Sequence, residues 1–208
     1  MKWVLRRRKK KTAAREDSPR YNEWSYWRSR SDPNNRNGWD EEQRQRDIEY
    51  IRRYTSHDDD VLEFGPGVGR TLEAYYGRAK ISGYDITGNY EHDLQRRARE
   101  IGLGVDLTVA KEAEERLPFG ARTFDAGVAC QVLMHQRPER VKFVMEELVR
   151  VCRKVIVVTG GYGLGAHPSA KHVFAHDYPT ICTSLGCEMD HVQARPPKLY
   201  FVYQRVTE

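Results

Sequence analysis

Glu63-Phe64-Gly65-Pro66-Gly67-Val68-Gly69-Arg70 sets three glycines at alternate positions, with a carboxylate two residues ahead of them. Glycine lacks a Cβ, so this loop can turn sharply and let a ligand approach the backbone. Asp85 follows twenty residues after Gly65 and closes Gly-Tyr-Asp. A carboxylate there can accept both hydroxyls of a ribose. Two ligand chemistries compete. A dinucleotide fold wants G-x-G-x-x-G, with a helix N-terminus aimed at the pyrophosphate. Here the spacing is G-x-G-x-G, and Arg70 stands where the third glycine would fall. Glu63 is poorly placed near a pyrophosphate and suits a ligand with a positive ammonium group.

The elements that must hold these residues alternate. Val61–Phe64 is a short apolar run before the glycines, 71–78 reads as a helix, and 80–84 as a second strand. A helix over 89–101 stops at Gly102, and strands follow at 105–110 and 124–129. Val141, Val144, Met145, Leu148, Val151 and Cys152 have helical spacing. Val155-Ile156-Val157-Val158 is the β-branched run of a strand buried on both faces. Such alternation implies an α/β fold: parallel βαβ units with helices on both faces of the sheet. Residues 188–193 and 198–206 read as two strands with a short link, so they must pair antiparallel. Ahead of the sheet, Asp40 can cap a helix over 41–54 that buries Ile48, Ile51 and Tyr54.

S-adenosylmethionine carries an ammonium group, a ribose and no phosphate, which fits Glu63 and Asp85 together. The sequence resembles the class I S-adenosylmethionine-dependent methyltransferases, notably the small Rossmann-like domains with a Leu-Pro-Phe element. The resemblance rests on Leu62–Gly69, Asp85, Leu117-Pro118-Phe119 with Thr123-Phe124-Asp125, and Val132-Leu133-Met134-His135, and it spans residues 58–206. It implies a seven-stranded, mostly parallel sheet with an antiparallel C-terminal strand, and S-adenosylmethionine as cofactor. It also implies a site. Gly65, Pro66 and Gly67, in the loop that ends at Gly69, would lie under the methionine part. Asp85 would hold the ribose, and Ile86 would pack on the adenine. Cys130 and Gln131 would lie beside the methionine or the transferring methyl. The family's Asp-Ala-Glu after the third strand is replaced by Lys111-Glu112-Ala113, so Glu112 and Ala113 take the adenine-amine position if one residue is inserted. Trp27 and Arg28, in the aromatic segment after residue 20, are the expected lid contacts.

Methyl transfer from a sulfonium is an in-line displacement, so the protein chiefly supplies proximity and orientation. A general base helps only where the acceptor carries a proton. His135, just past the fourth strand, is one candidate; its alternative is a packed histidine. His172 and His176 lie in a second candidate segment, after a Gly-rich stretch at 160–165. They could face substrate or ligate a metal, or serve only the fold, with Asp177 capping the next helix. The expected metal set is none.

The 208 residues carry a net charge of +5, and its position matters. Lys2, Arg6, Arg7, Arg8, Lys9, Lys10, Lys11, Arg15 and Arg20 face only Glu16 and Asp17, so residues 1–20 hold +7 and the rest −2. That divides the chain into a basic tail (1–20), a lid and helix (21–57) and the catalytic domain (58–208). No run of about 18 apolar residues exists, which excludes a helical membrane span. Four cysteines without a CxxC pair suit a reducing, cytoplasmic setting. Amino-directed nucleic-acid methylases often carry Asn/Asp-Pro-Pro-aromatic after the fourth strand, and this chain reads Ala129-Cys130-Gln131-Val132. The expected acceptor is therefore a small molecule, methylated at oxygen or nitrogen. The alternative is RNA or DNA docked through residues 1–20.

Overall fold

The computed structural model describes residues 21–30, 40–113, 115–160, 172–195 and 198–206; the basic tail lies outside them. Its strands are β1 (Val61–Phe64), β2 (Lys80–Asp85), β3 (Gly104–Val109), β4 (Phe124–Cys130), β5 (Cys152–Thr159), β6 (Cys187–Arg195) and β7 (Lys198–Arg205). They form one seven-stranded sheet in the order β3-β2-β1-β4-β5-β7-β6. β7 runs antiparallel to β5, with Val157 opposite Phe201, and antiparallel to β6, with Met189 opposite Tyr203. The other pairings are parallel. The strand order reverses direction at β1 and β4, and α/β sheets bind ligands in the crevice at such a switch point.

The helices are α1 (Glu23–Arg28), α2 (Glu41–Tyr54), α3 (Glu91–Glu100), α4 (Pro138–Val151) and α5 (Tyr178–Ser184). Asp40 caps α2 by accepting from Glu42 N and Gln43 N, and Asp177 caps α5 by accepting from Thr180 N. The period-2 geometry of β5 explains its unbroken apolar run. Val155 and Val157 face a core with Met145 and Leu148 of α4, whereas Ile156 and Val158 face another with Ile48 and Ile51 of α2.

The helix expected at 71–78 is a correction. Only a 3-10 turn, Leu72–Tyr75, forms there. Gly69 and Gly77 bracket it with φ of +77° and +88°, and Thr71 and Tyr75 turn their hydroxyls onto Glu63. Too few residues remain for a stable α-helix. Among the described residues between β3 and β4 there is no regular helix. There Leu117 N donates to Glu147 at 3.0 Å, and Arg150 reaches the carbonyls of Leu117 and Phe119 at 2.9 and 2.8 Å, docking the Leu-Pro-Phe element on α4.

Candidate active site

A cavity of about 230 Å³ opens where β1, β2 and β4 end. Gly65 and Gly67 form its floor, with φ of +70° and +51°, and Gly65 N donates to Tyr84 O at 2.8 Å. A Cβ on Gly65 would stand 2.6 Å from Val132 Cγ2, so this turn requires glycine. A Cβ on Gly67 would meet nothing within 4 Å, so the space above the loop is open to a ligand. Pro66 sits beneath, packed close to Gly83 rather than in the wall.

Asp85 reaches the cavity from the end of β2 and accepts from Gly67 N and Thr87 N, each at 3.1 Å. Burial pushes its carboxyl up to about 6, against those two hydrogen bonds. Ile86 and Glu112 line the same wall. Ala113 is exposed and stands outside it. Glu115 lines the cavity as well, holding Tyr84 OH at 2.9 Å and Lys111 N at 3.0 Å. It was missed in the sequence because no spacing rule links it to Tyr84.

Glu63 departs from the expected ammonium contact. It is fully buried outside the cavity wall, where its carboxylate accepts from Tyr75 OH and, at 3.2 Å, from Thr71 Oγ1. Burial pushes this carboxyl up to about 7. Strand alternation is the reason: Phe64, not Glu63, lines the cavity. Cys130 is also outside the wall, and burial pushes its thiol up to about 12, so it is a poor nucleophile. Gln131 does line the cavity. Its φ of +57° is a strained conformation for a residue with a side chain, and its Nε2 is buried without a partner among the described residues.

The first helix roofs this space. Trp24 and Trp27 line the cavity, and Glu23, itself buried, accepts from Arg137 N at 2.5 Å and Nε at 2.7 Å. Arg28 is outside the wall but stacks 4.4 Å from the Trp24 centroid and reaches the carbonyls of Ile86 and Ala110 at 3.4 Å. Asn89 Nδ2 holds the carbonyls of Arg28 and Arg30 at 2.9 and 2.6 Å. The aromatic residues of this lid and Arg28 are legible in the sequence; Glu23 and Asn89 carry no motif.

The histidines divide. His135 lines the cavity, with Trp27 edge-on at 5.0 Å. Its Nδ1 lies 2.8 Å from His172 O. A carbonyl only accepts, so Nδ1 carries the proton and Nε2 presents a lone pair. Burial pushes the imidazole down to about 4, which keeps it neutral. His172 is outside the wall, stacked between Tyr26 at 4.9 Å and His135 at 5.2 Å. His176 is also outside it, beside Phe174 and Tyr178. Among the described residues, no three His, Cys, Asp or Glu side chains converge as a metal site.

The residues present suit S-adenosylmethionine: an open glycine floor, a buried carboxylate at the β2 end and an unsatisfied Gln131 donor. Fold and site together define a class I S-adenosylmethionine-dependent methyltransferase. The methyltransferase domain family matches residues 61–155. The chain is similar in structure to 1,6-didemethyltoxoflavin-N1-methyltransferase of Burkholderia thailandensis, solved with bound 1,6-didemethyltoxoflavin and S-adenosylhomocysteine. The TM-score is 0.70 and the identity 16%, over 92% of this chain and 93% of that one. A Pyrococcus horikoshii OT3 protein matches at TM-score 0.66 and 17% identity, over 88% and 99%. Magnesium protoporphyrin IX methyltransferase of Synechocystis PCC 6803, with bound S-adenosylhomocysteine, matches at 0.63 and 16%, over 79% and 83%. No curated protein matches in sequence. Among the described residues, no helix is long and apolar enough to cross a membrane.

Proposed function

We propose that this enzyme methylates an oxygen or nitrogen of a small-molecule acceptor, in the cytoplasm. One observation carries the reading: α1 roofs the cavity, with Trp24 and Trp27 in its wall. A roofed cavity suits a small acceptor, whereas a nucleic-acid strand needs an open, basic groove. Two of the similar structures belong to enzymes named for small acceptors, 1,6-didemethyltoxoflavin and magnesium protoporphyrin IX.

In this reading the glycine loop carries the methionine part, Asp85 holds the ribose, and Ile86 and Glu112 flank the adenine. Gln131 Nε2 donates to the methionine end, and Trp27 and Arg28 close the lid. Bound S-adenosylmethionine supplies an activated methyl on sulfur. His135 Nε2 then accepts a hydrogen bond from the acceptor's O–H or N–H and orients its lone pair. An imidazole pushed down to about 4 is a weak base, so orientation rather than full deprotonation is its contribution.

The +7 charge of residues 1–20 supports nucleic acid as the second reading. The two separate with labelled S-adenosylmethionine, a metabolite extract and total RNA, on the full chain and on a chain lacking residues 1–20. Label entering low-mass compounds equally with both chains is expected. Label entering RNA, lost with the tail and with added salt, would refute the small-acceptor reading.

A further inference from the structure

The cofactor loop lacks its usual backing. Beyond Gly69 there is one 3-10 turn in place of an α-helix, and Leu72 N reaches Gly69 O only at 3.5 Å. Support comes from α2 instead. Arg44 donates to Arg70 O at 3.2 Å and to Glu73 at 2.7 Å, and Arg52 reaches Glu73 O. At the centre is Asp47, fully buried on α2. Its carboxylate takes the Arg70 guanidinium, Lys198 Nζ at 2.7 and 2.9 Å, and Tyr200 OH at 2.9 Å. Lys198, at 7% exposure, and Tyr200 stand on β7, which neighbours β5 at the centre of the sheet.

We propose that Asp47 is a positioning residue for the cofactor site, acting through Arg70. A buried carboxylate with two cations and a phenol has one orientation, since each oxygen is committed. The Lys198 and Tyr200 contacts anchor that carboxylate to the sheet. The Arg70 contact passes the anchor to the residue directly after Gly69. Arg70 occupies the place where a dinucleotide loop has its third glycine, and its side chain does the work that helix packing does there. The inference rests on the cofactor assignment but not on the acceptor, so it stands or falls independently of the small-molecule reading.

The test is calorimetric binding of S-adenosylhomocysteine to the full chain, read as affinity and stoichiometry together. Arg70→Met cuts the tie at a partly exposed side chain and leaves Asp47 with two partners. Its dissociation constant should rise about tenfold or more at unchanged stoichiometry. Asp47→Asn should weaken binding similarly, and the double variant should be no weaker than the weaker single one, because both cut the same Asp47–Arg70 link. Tyr200→Phe, which spares Arg70, should lower the melting temperature yet keep affinity within about twofold. A merely structural role would reduce the number of competent sites or the melting temperature without changing affinity. Arg70→Met binding S-adenosylhomocysteine as wild type does, or additive losses in the double variant, would overturn the proposal. If wild type itself fails to bind, the cofactor assignment fails rather than the role of Asp47.

Discussion

Replacing Glu63 by Gln removes a buried carboxyl that burial keeps protonated up to about pH 7. Burial raises this group from 4.5 to about 7, with the Tyr75 and Thr71 hydroxyls opposing the rise. A raised acid is one that the folded state protonates more readily than the unfolded chain does. Its stabilisation is therefore complete below pH 4.5 and is lost as pH climbs through about 7. At about 1.4 kcal/mol per pH unit, that loss is of order 3 kcal/mol. Gln does not titrate, so the Glu63→Gln chain escapes it. Asp85 and His135 titrate in the same range in both chains and cancel in the difference. Urea denaturation of wild type and variant at pH 4.5 and pH 8 should show the stability gap moving by about 3 kcal/mol in the variant's favour. For a domain of this size that is about 6–12 °C in melting temperature. The hydroxyl contacts give the variant a constant penalty, which shifts both pH values alike. A gap equal at the two pH values within about 0.5 kcal/mol would refute the claim that burial raises the Glu63 carboxyl.

Two further outcomes follow from the same geometry. On the proposed assignment of Asp85 to the ribose, Asp85→Ala should weaken S-adenosylhomocysteine binding by about 1–3 kcal/mol in calorimetry. Glu23→Ala removes two bonds from the lid to Arg137, at its backbone N and its Nε. Stopped-flow fluorescence of Trp24 and Trp27 should then show S-adenosylhomocysteine leaving about tenfold faster.

Much of the sheet was legible because its signals are local. The β-branched run 155–158 lies within β5, and the short link after residue 193 forces β6 and β7 antiparallel. The helix expected at 71–78 failed for a non-local reason: Thr71 and Tyr75 spend their hydroxyls on Glu63, which the strand turns inward. The same turn takes Glu63 out of the cavity, although its spacing from the glycines predicts a ligand contact.

What the amino-acid sequence determines by itself, then, is the α/β frame, the glycine loop and the carboxylate at Asp85. Periodicity and left-handed turns are written in adjacent residues, and a crevice must open where the parallel strands end. What only the tertiary structure decides is which polar groups meet. Asp47 with Arg70 and Lys198, Glu23 with Arg137, and His135 with His172 O join residues 23 to 151 positions apart. No spacing rule reaches across such separations. The pairings exist because packing helices on both faces of one sheet brings sequence-distant side chains together in the interior, where buried charges and donors must find one another.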